Sequence, residues 1–513
     1  MARNDKVGIG LIGCGSLSLI GILPQLALPD AKERVELVAV CDVVGERARE
    51  TAAKYGVPHH FDNAADLIAR DDVELVLVIT PIRFHHPYAM DALRAGKHVY
   101  VQKTMATAYA DAREMVETAR ERGLTLVAAP GQMLNAANSA MKRLVDGGAL
   151  GDVYWAWGDT GGWYHDEPTR RGEDVLTTVD PSWYYRADGG PLRDVTVYVL
   201  HTLTGVLGPA QRVTAMSGIR VPERRWREKT IPLEVDDNSV LLLDFGGARF
   251  AMAGGHASRT GQLMGWGSLG IYGTGGAVET LEIEMLSGHP SKLHVDLGGS
   301  EVDPRLLRPL GGDAYAPTGW LRHVDDAHAV IPEPHVYADI MHAVECIQTG
   351  APAIASGEHA AHVVEIIEKG YLAARTGQTQ TLESSFSLPP LRWASALTPL
   401  PPLPMRETGG EQLAAEPDGV TEQPRSSCSP PPMRGRGVGG DGSMATNDRL
   451  KLALLGPGDV AQRDYLPEFH RIADRAELVA VCGKGEARAR EVAARYGVPA
   501  WYTDFGQMLT EAE

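Results

Sequence analysis

The chain has 513 residues, of which 44% are hydrophobic and 22% charged. Those are the proportions of a soluble globular protein, with length for about three domains. Acidic residues outnumber basic ones 66 to 49, a net charge of −17, which argues against nucleic-acid binding because no basic face or stripe is implied. The five cysteines, Cys14, Cys41, Cys346, Cys428 and Cys482, are scattered and lack zinc-site spacing. Neither a disulfide framework nor a bound metal is expected, and a reducing, cytoplasmic setting fits.

The first stretch, 7–29, is uncharged and contains Leu11-Ile12-Gly13-Cys14, which looks like a lipoprotein cleavage box. The apolar run before Cys14 is too short for a signal core, and Gly8, Gly10, Gly13 and Gly15 make a poor membrane helix. No membrane association is expected. Instead, short apolar runs at Val7–Ile12, Val35–Cys41, Val73–Ile79, His98–Gln102 and Leu124–Ala128 predict buried parallel strands. Between them Val44–Tyr55, His86–Ala95 and Tyr109–Arg122 have helical spacing and end at Gly56, Gly96 and Gly123, where left-handed caps belong. The alternation predicts an α/β fold, a doubly wound Rossmann domain over 1–130.

From about Gly151 aromatic residues cluster and strand-like runs follow at Asn238–Asp244, Ala248–Gly254 and Ser268–Gly273, with helices at His335–Gln348 and Gly357–Thr376. This predicts an α+β domain over 131–388 with a large, mostly antiparallel sheet. Residues 389–443 hold 11 of the 33 prolines and 8 glycines, which predicts a disordered linker. Beyond it Glu477–Cys482 repeats Glu36–Cys41, and Tyr496-Gly497-Val498-Pro499 repeats Tyr55-Gly56-Val57-Pro58. A partial second Rossmann fold is therefore expected over 444–513, without counterparts to Val73–Ile79 or anything later. Two origins are open for it: a genuine tandem fusion, or a neighbouring truncated gene read as one chain. An intact mass of native protein separates them.

Gly13-Cys14-Gly15-Ser16-Leu17-Ser18 lies between a predicted strand and helix. Gly13 permits the tight turn, and Gly15 lets the backbone approach a pyrophosphate at the helix N-terminus, beside Ser16 and Leu17. Asp42 ends the next strand, where a carboxylate accepts the adenine-ribose hydroxyls and repels a 2′-phosphate; this points to NAD rather than NADP. The other reading of Asp42 is a cap for the following helix.

Thr80-Pro81-Ile82-Arg83-Phe84-His85, then Ala95-Gly96-Lys97-His98-Val99, then Gln102-Lys103-Thr104 resemble the motifs of the Gfo/Idh/MocA oxidoreductases, the glucose–fructose oxidoreductase and inositol dehydrogenase-like family. The resemblance spans roughly 5–385; Gln102 replaces the usual Glu and Thr104 the usual Pro. It implies a cofactor site that includes Thr80, Pro81, His85, Gln102 and Lys103. Where the family carries D-x-G-x-H-x-x-D, this chain has Asp194, Thr196, Tyr198 and His201. The resemblance implies catalysis by Lys103 and Tyr198, with Lys103 lowering the phenol's pKa and Asp194 orienting the substrate. Helical spacing puts Asp194, Tyr198 and His201 on one face, either a catalytic or a solvated one. His201 reads as a substitute base or a helix-face histidine.

Aromatic faces stack on pyranose rings, so Trp155, Trp157, Trp163, Tyr164, Trp183 and Tyr185 are candidates for a saccharide pocket as well as for core. Trp163, Tyr185, Arg186 and His201 are the candidate substrate contacts. The expected function is that of an NAD(P)-dependent dehydrogenase acting on CH–OH groups of a sugar, polyol or related cyclic alcohol. The resemblance also implies a homo-oligomer, dimer or tetramer. The alternative is a non-catalytic NAD-binding regulator or interaction protein derived from the same family.

Overall fold

The computed structural model describes residues 6–162, 180–226, 228–257, 267–280, 293–297, 321–389, 391, 450–456, 461, 466, 469, 473 and 476–511. The chain divides into two compact units, Met1–Gly409 and Gly410–Glu513. The predicted linker falls almost wholly outside the described residues.

The first unit opens with a six-stranded parallel sheet: β1 (Val7–Ile12), β2 (Val35–Cys41), β3 (His59–Phe61), β4 (Leu75–Val78), β5 (His98–Val101) and β6 (Leu126–Ala128). Their order is β3-β2-β1-β4-β5-β6, with the chain crossing outward from β1 in both directions, as in a doubly wound fold. Every residue of β1 is buried, because helices cover both faces of a parallel sheet. Helices Gly45–Tyr55 and Tyr109–Arg122 end on left-handed Gly56 and Gly123, as the glycine spacing predicts. The strand β3 and the helix Ala64–Ile68 were not expected, since three residues are too few to show a period.

An eight-stranded sheet follows, made of β7 (Val153–Gly161), β8 (Arg212–Gly218), β11 (Asn238–Asp244), β12 (Phe250–His256), β13 (Leu269–Gly273), β14 (Gly276–Thr280), β15 (Leu293–Asp296) and β16 (Gln380–Thr381). Its order is β15-β14-β13-β7-β12-β11-β8-β16, antiparallel except for the β7–β12 pair. A separate hairpin joins β9 (Glu223–Trp226) to β10 (Lys229–Pro232). The helix Val197–Leu207 is buried along its whole length, which removes the solvated-face reading of Asp194, Tyr198 and His201. It packs against β7 and the helix Gly357–Thr376, so its polar side chains must find partners inside the protein.

The second unit contains β17 (Leu450–Leu455), β18 (Ala476–Cys482) and β19 (Ala500–Tyr502), parallel and in that order, with helices Glu486–Tyr496 and Phe505–Glu511. Its pairing reproduces that of β1, β2 and β3. The register shifts between Leu452 and Ala453, as it does between Ile9 and Gly10. Leu450 and Leu455 are 63% and 59% exposed, whereas the corresponding Val7 and Ile12 are buried. Among the described residues nothing pairs with β17 on the side where β4 pairs with β1.

Candidate active site

The cofactor loop follows β1. Gly13 adopts φ +103°, and a Cβ there would collide with the Ile79 carbonyl oxygen; only glycine suits that position. Around Gly15 a Cβ would meet nothing within 4 Å, which leaves room for a ligand against the backbone. Ser16 and Leu17, half-buried, begin a helix that continues as a wide turn over Ser18–Ile22. Ser18, in place of the expected small residue, donates its hydroxyl proton to the Gly13 carbonyl at 2.5 Å and so ties the loop shut.

Asp42 is 7% exposed. Its Oδ2 accepts the Cys14 N–H at 2.9 Å, and its Oδ1 accepts the Val44 N–H at 2.9 Å and Arg47 Nη1 at 3.0 Å. The carboxylate therefore both caps the next segment and faces the glycine loop, so the two sequence readings are compatible. Arg47 was not anticipated; only the turn of the helix brings it back to Asp42.

At the ends of β4 and β5, Thr80 Oγ1 and Gln102 Nε2 are buried without a hydrogen-bond partner, although Gln102 Oε1 accepts the Lys103 N–H at 2.6 Å. Orphaned polar groups of this kind are costly unless a ligand satisfies them. Together with the open face of Gly15 and the anion-favouring start of a helix, they fit a dinucleotide. Pro81 precedes the single turn Ile82–Phe84. His85 is fully buried, and its ring nitrogens lie 2.8 Å from the Thr104 carbonyl oxygen and 2.7 Å from that of Thr80. Burial pushes its pKa down to about 4, against the pull of the two carbonyls. His85 thus stands between the two strand ends, facing a carbonyl oxygen from each.

Lys103 extends from the end of β5 to the wide turn Leu192–Thr196. Its ammonium donates to the Asp194 carboxylate and, at 2.7 Å, to the Asp194 carbonyl oxygen. Thr104, standing where the family has Pro, donates its hydroxyl proton to the Arg193 carbonyl. Arg83 reaches Asp188 with an N–O distance of 2.7 Å. These contacts join the parallel-sheet domain to the segment that leads into the Val197–Leu207 helix.

Tyr198 lies beneath the same ammonium, with Lys103 Nζ 5.4 Å from its ring centroid. Its hydroxyl faces His335 Nε2 at 3.4 Å. Burial, then the nearby Glu333, Asp194 and Asp339 carboxylates, hold the phenol well above its ordinary pKa. The expected lowering by Lys103 therefore fails: the ammonium is over the ring face, and its hydrogen bonds go to Asp194. Asp194 in turn faces Lys103 with its carboxylate. Wide turns of five residues recur at functional sites, and the two among the described residues of this unit, Ser18–Ile22 and Leu192–Thr196, flank the site; no periodicity marks them in the sequence.

The remaining candidates are dispersed. Trp163 and Tyr164 lie outside the described residues. Tyr185 is buried with Tyr184, Trp226, Ile231 and Leu233, and Trp183 packs against them; the Arg224 guanidinium lies 5.9 Å from the Tyr185 ring. Arg186 is exposed. His201 stacks obliquely on His359 at 4.6 Å, and burial drives its pKa to about 3, which leaves it neutral within the core. Trp155 and Trp157 are on β7, where the Trp157 indole donates to the Tyr272 hydroxyl at 3.0 Å. Among the described residues one cluster has metal-ligand geometry, Asp30, Asp325 and His328. There Gln25 and Asp30 take both ring nitrogens of His328, and Asp325 caps the helix Asp326–Ala329. No helix among the described residues is long and apolar enough to cross a membrane.

Two family models match the chain. "Oxidoreductase family, NAD-binding Rossmann fold" covers residues 7–129 and "GFO/IDH/MocA C-terminal domain" covers 139–279, together just over half of the chain. A dTDP-3,4-didehydro-2,6-dideoxy-alpha-D-glucose 3-reductase of Streptomyces violaceoruber is 34% identical over 205 residues, 40% of this chain and 56% of the relative. A trans-1,2-dihydrobenzene-1,2-diol dehydrogenase of Oryctolagus cuniculus is 31% identical over 221 residues, 43% of this chain and 60% of the relative. The chain thus spans little more than half the length of these curated relatives. In fold, 75% of the chain matches 99% of the WlbA dehydrogenase from Bordetella pertussis, solved with NADH and UDP-GlcNAcA, at TM-score 0.58 and 20% identity. With the dinucleotide cradle at the end of β1 and a lysine held at the end of β5, the chain belongs to the GFO/IDH/MocA family of oxidoreductases.

Proposed function

We propose that the protein is an NAD-dependent oxidoreductase acting on a secondary hydroxyl or keto group of a sugar, polyol or related cyclic alcohol. The observation that carries this reading is the Lys103 ammonium, fixed by Asp194 above the Tyr198 ring at the strand ends that face the cofactor loop. Gly13–Leu17 would hold the pyrophosphate, Asp42 the adenine ribose, and Thr80 and Gln102 the nicotinamide end. The bound nicotinamide supplies the hydride acceptor or donor. Asp194 holds Lys103 in place, and Lys103 donates a hydrogen bond to the reacting oxygen, lowering the energy of negative charge that develops there. Tyr198, protonated at neutral pH, delivers a proton to that oxygen on reduction and receives one on oxidation. On this reading Tyr185 and His201 support the fold, and His85 braces the loop.

The relatives named above act on a nucleotide-linked sugar and on a cyclic diol, which supports the substrate class. Met216, at 82% exposure, with Val240, Leu242 and Phe250, gives the eight-stranded sheet an apolar outer face, which supports a homo-oligomer. To test the function, NADH absorbance is followed with the full-length protein across a sugar and polyol panel. Turnover is expected, with kcat lost by at least about a hundredfold in Tyr198→Phe and Lys103→Met. Calorimetric NAD binding with no turnover of any panel member would instead favour a non-catalytic regulator.

A further inference from the structure

Tyr198 presents a difficulty that the oxidoreductase reading leaves open. A phenol held this firmly protonated cannot accept a second proton; in the oxidation direction its own must leave as the substrate's arrives. The Tyr198 hydroxyl faces the His335 imidazole, with Nε2 at 3.4 Å and the two rings edge to face at 5.8 Å. On the far side of that ring, Glu333 Oε2 lies 3.8 Å from Nδ1. Both side chains are largely enclosed, at 7% and 15% exposure.

Glu333 occupies an unusual place. It is the residue before the helix Pro334–Thr349, with φ +61°, a conformation that costs any residue with a Cβ. Strain of this kind persists where surrounding structure enforces it, and it concentrates at functional sites. Gly21, in the helix behind the cofactor loop, accommodates the Glu333 side chain: a Cβ on Gly21 would come within 2.9 Å of Glu333 Cβ.

We propose that His335 exchanges the Tyr198 phenol proton, with Glu333 as the counter-charge behind the imidazole, so that Tyr198, His335 and Glu333 form a proton relay out of the buried site. This rests on the oxidoreductase reading. In oxidation the C–H electron pair of the alcohol leaves with its hydrogen to the nicotinamide, and the carbonyl double bond forms. The alcohol O–H proton passes to the Tyr198 oxygen as the Tyr198 proton passes to His335 Nε2. Reduction runs the same transfers in reverse. His335 therefore begins neutral with its proton on Nδ1, toward Glu333, and becomes an imidazolium beside that carboxylate. Among the described residues, the groups that also face the pair include Lys103 and Asp194 from the Tyr198 side, Tyr100 from β5, and Asp339 one turn along the helix of His335. Asp339 receives the Gly131 N–H on both carboxylate oxygens, at 3.1 and 3.2 Å, and burial raises its pKa to about 8. Near neutrality Asp339 is thus largely protonated, which leaves Glu333 as the carboxylate next to His335.

The test uses full-length wild type, His335→Gln, Glu333→Gln and Tyr198→Phe, each checked for fold by circular dichroism. With a turned-over member of the sugar and polyol panel, His335→Gln should lower kcat by about ten- to a hundredfold and remove one ionisation from the pH profile, with KM for NAD unchanged. Glu333→Gln should move that ionisation to lower pH, because the imidazolium loses its counter-charge. Independently of turnover, the His335 ring proton resonance is titrated by NMR. Its midpoint should fall in Glu333→Gln and move in Tyr198→Phe. A His335→Gln enzyme with wild-type kcat and pH profile overturns the relay and leaves the oxidoreductase reading standing. If wild type turns over no panel member, that reading fails, and the NMR midpoint decides the relay. A midpoint that is indifferent to both substitutions overturns it, even where His335→Gln does not fold.

Discussion

Removing the Lys103 ammonium is the sharpest test of how the site is held. Lys103 and Asp194 retain 14% and 7% of their side-chain exposure, so the pair sits well away from the screening that makes surface ion pairs weak. Lys103→Met strips the cation from a carboxylate that cannot reach bulk water. Breaking one partner of such a pair costs about 3 kcal/mol. Asp194→Asn should cost somewhat less, about 2 kcal/mol, because the Asp194 carbonyl oxygen still accepts from Lys103. In the double variant no buried charge is stranded, so the combined loss should be about 3 kcal/mol rather than the sum, a coupling of about 2 kcal/mol. Urea denaturation followed by tryptophan fluorescence reads this out, since Trp155, Trp157, Trp183 and Trp226 all belong to the first unit. Strictly additive losses would show that Lys103 and Asp194 do not share an interaction, and the assignment of Asp194 as the group that fixes Lys103 would fall with it.

Burial depresses the pKa of His201 to about 3, of His362 to about 4, and of His359 well below its usual value. In the unfolded chain they titrate near pH 6.5, so the unfolded state binds more protons as pH falls. Stability is then complete above pH 6.5 and lost progressively toward pH 4, by about 2 kcal/mol per histidine at pH 5. A urea midpoint that is flat between pH 7 and pH 5 would contradict this. At the cofactor loop, Asp42→Ala removes the acceptor of the Cys14 and Val44 N–H groups and of Arg47, so NAD affinity measured by calorimetry should fall at least about tenfold. Arg47, released, should favour a 2′-phosphate, and the ratio of NADP to NAD affinity should rise; an unchanged ratio would remove Asp42 from cofactor selection.

Much of this protein is legible along the chain because the signals are local. The strand β1, the ends of the helices Gly45–Tyr55 and Tyr109–Arg122, and the span of Gly357–Thr376 each follow from a short apolar period and a terminal residue with special backbone freedom. The repeat of β1 and β2 in β17 and β18 is legible in the same way, while the shift of register that they share is seen only in the strand pairing. The loop Gly13–Leu17 and the position of Lys103 at a strand end are readable because turn chemistry and strand boundaries are set by neighbouring residues.

What a side chain does with its far end is different. Lys103 chooses Asp194 across 91 positions of sequence, and Tyr198 faces His335 across 137. Arg47 turns onto Asp42 rather than into solvent, and the His85 ring nitrogens face two carbonyl oxygens. The aromatic residues of 155–185 read as candidates for a pocket or for core, and Trp155 stands on a sheet while Tyr185 lies within a separate buried cluster. Spacing in the sequence determines which face of a strand or helix a residue occupies, since that depends on backbone period alone. Which charge it meets there, and whether its pKa rises or falls, depends on elements brought together by burial. The amino-acid sequence by itself thus determined the main strands of the two large sheets, the glycine loop after β1 and the place of Lys103 at the end of β5. Only the tertiary structure decided that Lys103 is held by Asp194, that Tyr198 is raised rather than lowered, and that His335 and Glu333 stand behind it.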